Sequence, residues 1–261
     1  MSIPRFYCPP TLFPGTILNT SGQIRGSVEL PAAVAHHASR VLRLRVNDEV
    51  HLFDGTGNEL HGRICVITGK SVRLDRLYNH VINRESPLHI VLAQALCSSE
   101  KMDWVVQKAT ELGVSAIQPL QTERSITRLS GERAEKRTEH WRGVAISACE
   151  QCGRNTLPVV YAPQDFTHWL LDMRPSTATK LMLAPASHIS LGRQIKPIHS
   201  IVLLIGPEGG WSAAEIEMSE QANFTQVSLG ARILRTETAA IAGITALQTL
   251  WGDLVSMRPN F

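Results

Sequence analysis

The sequence predicts an α/β protein with a parallel sheet in its C-terminal part, preceded by a smaller β-rich part, and three observations carry that prediction. Leu88 to Leu96 is an apolar run, followed by a helical stripe and a second apolar run, Ala116 to Leu120. Strand, helix, strand at this spacing is a βαβ unit, in which a long crossover brings the second strand parallel to the first. Ile201-Val202-Leu203-Leu204-Ile205 is a run of branched apolar residues stopped by Gly206-Pro207, the pattern of a strand buried on both faces. Residues 1 to about 75, by contrast, read as short strands and turns.

Gly26 to Leu30 is expected as a strand. Pro31 to Leu44 is expected as a helix, with proline in its first turn and Val34, Ala38, Val41 and Leu42 on one face. Val50 to Phe53 and Glu59 to Ile67, separated by Asp54-Gly55-Thr56-Gly57, form a hairpin. Val72 and Leu74 alternate with charged residues in a further strand. This part carries Arg5, His36, His37, Arg40, Arg43 and Arg45. Arg40 and Arg43 are three apart and are expected to share a helix face, which suits contacts to a phosphate backbone. The adjacent His36 and His37 point different ways on a helix, and no cysteine or carboxylate sits at ligand spacing, so no metal is expected. The polar stretch 79–86, closing on Pro87, marks the boundary region, with residues 1–75 assigned to the small domain and 76–261 to the large one.

In the large part, Lys101 to Leu112 is a helix with Met102, Val105, Val106, Ala109 and Leu112 inward, capped by Gly113. Thr122-Glu123-Arg124-Ser125 follows the second strand at its carboxyl end, where α/β sheets place ligand groups. Gly131 to Cys149 is a helix with Ala134, Trp141, Val144, Ala145 and Ala148 inward and Lys136, Arg137 and Arg142 toward solvent or RNA, solvent being favoured. Cys149-Glu150-Gln151-Cys152 has the C-x-x-C form, but no second pair exists for zinc and it closes a helix rather than opening one; both cysteines read as packing. Pro158 to Tyr161 and Lys180 to Ala184 are strands, Asp165 to Leu171 a short helix, and Pro185 to Ser200 a polar connection. Ser212 and Glu215 form a capping box, with Trp211 and Ile216 placed as a hydrophobic staple. Val227 to Leu229 is the last strand, Thr236 a cap, and Glu237 to Trp251 a helix rich in small residues that allow close helix approach.

Glycine-bearing loops thus follow two strands, and such loops converge on ligands in α/β sheets. Gly206-x-x-Gly209-Gly210 lacks the Lys-Ser/Thr of a phosphate loop and does not match G-x-G-x-x-G. Glu208 would repel phosphate, so a ligand without phosphates is expected.

The 261 residues are 43% hydrophobic and 19% charged, with a net charge of +3, which suits a globular protein with ample core and only a mild basic excess. No apolar run approaches the ~18 residues of a membrane span, and Met1-Ser2-Ile3-Pro4-Arg5 lacks a signal pattern. A cytosolic protein with five reduced cysteines is expected.

Leu204 to Gly210 together with Leu229-Gly230-x-Arg232-Ile233-Leu234-Arg235-x-Glu237-Thr238-Ala239 resembles the SPOUT class of RNA methyltransferases. Pro4-Arg5, His37 with Arg40-Val41-Leu42-Arg43, Leu52-Phe53-Asp54-Gly55, Lys101-Met102, Glu111-Leu112-Gly113-Val114, Thr122-Glu123-Arg124 and Glu150-Gln151-Cys152-Gly153-Arg154 extend the likeness along most of the chain. Within the class, the chain is most similar to the branch that methylates N3 of a uridine in bacterial 16S ribosomal RNA. The resemblance implies a PUA-like RNA-binding β-barrel over 1–75 and a SPOUT domain over 76–261 with a trefoil knot, which topology rules alone would reject. It implies S-adenosyl-L-methionine held by Leu183, Leu204, Ile205, Gly206, Pro207, Glu208, Gly210, Leu229, Gly230, Ile233, Leu234, Thr238 and Ala239. It implies RNA contacts from Arg5, His37, Arg40, Arg43 and Arg154, with Glu150 and Gln151 beside the target nucleotide. It also implies a homodimer acting on the small ribosomal subunit.

Uridine N3 is a poor nucleophile until its proton leaves, so a base, or a cation beside O2 or O4, is needed. Glu123 is the candidate base, and Arg124 and Arg235 the candidates for the uracil oxygens or a phosphate. Glu208 is expected to organise its own loop through backbone hydrogen bonds, and Glu237 to favour a helix start. A ribose 2′-O-methyltransferase shares the cofactor loops and is the second enzyme reading, with the β-rich N-terminal part and Glu150-Gln151-Cys152 favouring the N3 branch. A non-catalytic ribosome-assembly factor that binds RNA is a third reading. A nucleotide-binding α/β enzyme is a fourth, weakened by the missing phosphate-loop lysine.

Overall fold

The computed structural model describes residues 3–12, 23–24, 26–69, 71–173, 176–194 and 200–255. They form two compact units, one of Met1–Glu85 with Cys149–Leu157 and one of Ser86–Ala148 with Pro158–Phe261.

The first unit is a sheet of β1 (Arg5–Tyr7), β2 (Gln23–Ile24), β3 (Val28–Glu29), β4 (Glu49–Phe53), β5 (Glu59–Ile67) and β6 (Val72–Asn79). The order is β1-β4-β5-β6-β2 with β3 also on β6; β1 runs parallel to β4 and the other pairs are antiparallel. Register shifts between His61 and Arg63 and between Ile64 and Val66 bend β5 and curl the sheet. Phe6, Val50, Leu52, Leu60, Ile64, Leu74 and Leu77 fill its inner face, joined by Ala35 and Ala38. β1 and β2 escaped the sequence reading because two or three residues carry no periodicity.

The helix expected over 31–44 is shorter. Helix α1 spans Ala32–His36 and continues as a π turn over His37–Val41, with Leu42 as its cap. Arg43 has φ of 54°, so it lies beyond the helix and does not share a helical face with Arg40.

The division falls after Glu85, inside the polar stretch 79–86 though ten residues beyond the assigned 75, and 149–157 joins the first unit. The bonds explain both departures. Arg84 Nη1 donates to the Gly153 carbonyl oxygen at 3.0 Å, Arg154 Nε donates to Glu85 Oε2 at 2.9 Å, and the Tyr7 amide donates to Glu150 Oε1 at 3.0 Å.

The second unit is a parallel sheet of β7 (His89–Ala95), β8 (Ala116–Gln121), β9 (Val159–Val160), β10 (Gln164–Asp165), β11 (Thr179–Leu183), β12 (Ser200–Ile205) and β13 (Thr225–Val227). The order is β10-β8-β7-β12-β11-β13, with β9 on β8. Its helices are α2 (Ser99–Glu111), α3 (Gly131–Cys152, whose last turn belongs to the first unit), α4 (Phe166–Met173), α5 (Ala213–Gln221) and α6 (Thr236–Trp251). Strand alternation divides the core in two. Ile201, Leu203 and Ile205 pack with residues of α2, α3 and α6, whereas Val202 and Leu204 pack with Phe166, Trp169 and Leu170 of α4. The small residues of α6 serve this packing: a Cβ on Gly243 would stand 3.0 Å from Leu203 of the same chain. Lys180, almost fully buried in β11, donates to the Met173 and Ala222 carbonyls at the ends of α4 and α5. Residues 195–199 of the connection expected over 185–200 lie outside the described residues.

Candidate functional site

Three segments leave the carboxyl ends of β11, β12 and β13 and enclose a cavity of about 290 Å³. They are Leu183 to Pro185, Ile205 to Trp211, and Val227 onward into the first turn of α6. The volume is at the lower end of the roughly 300–1,000 Å³ of small-molecule sites. Leu183, Ile205, Val227, Leu229, Leu234 and Ala239 make most of the wall apolar, and Ile233 stands at it 85% exposed.

Hydrogen bonds hold the walls together. Gln94 Nε2 of β7 donates to Thr236 Oγ1 at 2.9 Å, and Thr236 Oγ1 donates to the Gly206 carbonyl at 2.6 Å. Trp211 Nε1 donates to the Leu183 carbonyl at 3.2 Å. Its ring lies so near Gly206 that a Cβ there would stand 2.9 Å away. Ser228 bridges to Ser190, bringing the 184–191 connection alongside. Gly230 has φ of 107°, a conformation side chains disfavour, and it lines the cavity.

Eleven of the thirteen expected cofactor residues line this cavity: Leu183, Ile205, Gly206, Pro207, Glu208, Gly210, Leu229, Gly230, Ile233, Leu234 and Ala239. Leu204 and Thr238 do not. Side chains alternate along a strand, so Leu204 points to the core face opposite Ile205. Thr238 is about 100° around α6 from Ala239 and faces solvent. Trp211, Pro185, Ser228, Arg232 and Thr236 line the cavity and were not among the expected residues. Trp211 had a signal, since it adjoins the glycine loop, and Arg232 and Thr236 fall within the stretch from Leu229 to Ala239 that carries the resemblance; Pro185 and Ser228 had none.

Two smaller expectations change. Thr236 does not cap α6: the cap position is Arg235, and the Thr236 hydroxyl is spent on Gly206. Glu208 does not bond its own loop; it pairs with Lys101 at 3.1 Å. The capping box of Ser212 and Glu215 forms as expected, and Glu215 Oε1 also accepts from the Glu123 amide at 2.8 Å.

Of the candidate catalytic residues, only Arg235 lines the cavity, and its exposed guanidinium makes no hydrogen bond or ion pair among the described residues. Arg124 Nη1 donates to the Gly209 and Trp211 carbonyls at 3.1 and 3.3 Å, which binds it to the glycine loop. Glu123 is held beside that loop through its backbone, with its carboxylate exposed.

Arg5 and Arg154 are both engaged by partners within the first unit. Arg5 is ion-paired to the fully buried Glu59 and donates to Asn155 Oδ1 at 2.7 Å. Arg154 is 5% exposed and pairs with Glu85 at 2.6 Å. Guanidiniums engaged in this way hold the fold together, and Glu150, bonded to Tyr7, does the same. His37, Arg40 and Arg43 are exposed.

The same unit stacks His51 on His61 at 3.4 Å and 4°, and His61 on His80 at 4.3 Å. Glu49 and Glu59 stand close enough to complete two ligand groupings. The residues do not fit a metal: nearly parallel planes cannot aim two in-plane lone pairs at one ion, and Glu59 is already held by Arg5 and Arg84.

A family model for an RNA methyltransferase domain matches residues 84–248, and one for an RNA methyltransferase PUA domain matches 30–75. The ribosomal RNA small subunit methyltransferase E of Buchnera aphidicola (subsp. Schizaphis graminum) is 37% identical over 232 residues, 89% of this chain and 94% of its own. The Bacillus subtilis protein of that name is 31% identical, over 81% of this chain and 86% of its own. Among solved structures, ribosomal RNA small subunit methyltransferase E of Neisseria gonorrhoeae bound to S-adenosyl methionine is 41% identical with a TM-score of 0.87, covering 97% of this chain and 100% of that one. A Legionella pneumophila methyltransferase in complex with the same cofactor is 36% identical at the same TM-score and coverage. The chain therefore belongs to the RNA methyltransferase family that includes ribosomal RNA small subunit methyltransferase E.

Proposed function

We propose that this chain transfers a methyl group from S-adenosyl-L-methionine to N3 of a uridine in the 16S ribosomal RNA of the small subunit. The observation that carries the reading is the cavity at the ends of β11, β12 and β13, on a chain whose relatives were crystallised with that cofactor. Its residues fit the group. The apolar wall suits an adenine ring, and the glycines admit close backbone approach.

When bound, the cofactor supplies an electrophilic methyl group on a sulfonium, so the hardest chemistry is its own. The protein's task is to align the uracil and remove one proton. Arg235 supplies a positive charge at the cavity, where it stabilises the anion that develops on a uracil oxygen as N3 loses its proton. Arg124 keeps the glycine loop closed through Gly209 and Trp211, and Glu123 is the candidate proton acceptor. Arg40, Arg43 and His37 are the proposed RNA contacts in the first unit. The trefoil crossing and a homodimer are proposed on the same family likeness. On this reading the chain works in the cytoplasm; among the described residues no helix is long and apolar enough to cross a membrane.

The test is incubation of labelled donor with small subunits from a strain lacking this activity, followed by digestion to nucleosides. Label in 3-methyluridine is the expected result. Label in a 2′-O-methylnucleoside would replace the reading with ribose methylation.

A further inference from the structure

Lys101 occupies the third position of α2. A cation in a helix's first turn opposes the positive end of the helix dipole, so the local sequence preference is broken here. Such violations are retained where something else uses the residue. Lys101 Nζ lies 3.1 Å from Glu208 Oε1 and 3.4 Å from Glu237 Oε2. Glu208 belongs to the glycine loop after β12, and Glu237 to the first turn of α6. Both segments contribute to the cavity wall, where Thr236 of α6 bonds Gly206 of the loop, yet Lys101 does not line it. Glu237 Oε2 is shut away from solvent and, beyond the Lys101 ammonium at 3.4 Å, has no polar partner among the described residues, so that charge is its compensation.

We propose that Lys101 is a positioning residue of the donor site, its ammonium clamping Glu208 to Glu237 and so fixing the distance between the glycine loop and the start of α6. The proposal rests on reading the cavity as the S-adenosylmethionine site. The hydrogen bond to Glu208 raises the Lys101 pKa against the opposing effect of burial, so the clamp stays charged across the physiological range. Without the lysine, two carboxylates are left facing each other, and repulsion moves both loops apart.

A clamp and a simple field effect predict opposite signs. Two bare carboxylates near the cavity would attract a sulfonium, so a purely electrostatic role predicts that losing Lys101 tightens S-adenosylmethionine. It predicts little change for S-adenosylhomocysteine, whose sulfur is neutral. A clamp predicts that both bind more weakly, because both need the same cavity width.

The experiment is calorimetry of both ligands on the full chain, for wild type, K101M, K101R and E208Q/E237Q. K101M should raise both Kd values about tenfold, equal to about 1.4 kcal/mol. K101R should restore most of the affinity, and E208Q/E237Q, which removes the charges and keeps the bulk, should weaken both ligands in the same direction. In steady state the effect should fall on KM for the donor and leave kcat and KM for RNA unchanged. Wild-type affinity in K101M, tighter binding of S-adenosylmethionine alone, or no recovery in K101R would overturn the clamp. Failure of the wild-type chain to bind either ligand would instead overturn the reading of the cavity. Should K101M fail to fold, K101R and E208Q/E237Q carry the same decision.

Discussion

Thr236 Oγ1 donates a 2.6 Å hydrogen bond to the carbonyl oxygen of Gly206, tying the first residue of α6 to the loop after β12, thirty positions earlier in the chain. The same hydroxyl accepts from Gln94 Nε2 at 2.9 Å, so one threonine joins three segments of the sheet's carboxyl edge. Replacing it with valine keeps the shape and removes both bonds. Leaving buried partners unsatisfied costs about 1–3 kcal/mol. Thr236→Val should lower the denaturant midpoint accordingly and weaken donor binding, both measurable on the same preparation.

Arg235 and Arg124 should differ when replaced by alanine. Arg235 lines the cavity with a guanidinium free of described partners, so its loss should lower single-turnover rates by about 10²–10³ with little change in donor Kd. Arg124 acts through the Gly209 and Trp211 carbonyls, so its loss should weaken donor binding as well as slow turnover. Rapid-quench kinetics beside calorimetry separates the two.

The first unit should separate a structural arginine from an RNA contact. Arg154→Ala removes the buried partner of a partly buried ion pair, leaving Glu85 partly exposed to water, and should cost about 1–3 kcal/mol of stability. Arg40→Ala, at an exposed position, should change stability by less than ~0.5 kcal/mol. Its effect should appear in RNA affinity, reducing the slope of log K against log salt by about 1. Equilibrium unfolding and filter binding over a salt series check both.

Acid should weaken the first unit in two stages. Burial, then the neighbouring imidazole, lowers the His51 pKa below its ordinary 6.5, and burial does the same for His61 against the pull of Glu59. The folded state therefore binds fewer protons than the unfolded chain, and stability falls as pH drops below about 6.5. Glu59 adds a second stage. Burial alone would raise it, but hydrogen bonds from His61 and Arg5, with the charges of Arg5 and Arg84, hold it below its ordinary 4.5. Its contribution is present above that value and lost as pH falls through the lowered one. Urea midpoints for wild type and His51→Phe between pH 7.5 and 4 should show a shallower fall in the variant from 6.5 to 5.

The parallel sheet and its loops were legible because long apolar runs, glycine stops and the Ser212–Glu215 box all act locally. What the residues alone withheld was orientation and partnership. Leu204 and Ile205 are equally apolar in the sequence, and only the strand's pleat puts Ile205 on the core face that borders the cavity and Leu204 on the face packed with α4. Arg5 and Arg154 looked like exposed basic residues because Glu59 and Glu85 are distant in sequence. The helix after Pro31 ran too long on paper because nothing in Arg43 announces a positive φ.

The central claim is that the segments following β11, β12 and β13 hold the methyl donor. A crystal structure of the chain soaked with S-adenosyl-L-methionine tests it most directly. Density for the donor between Leu183, Gly206 and Leu229 is the predicted result. Density elsewhere on the chain, or a crystal that binds donor nowhere at saturating concentration, would contradict it.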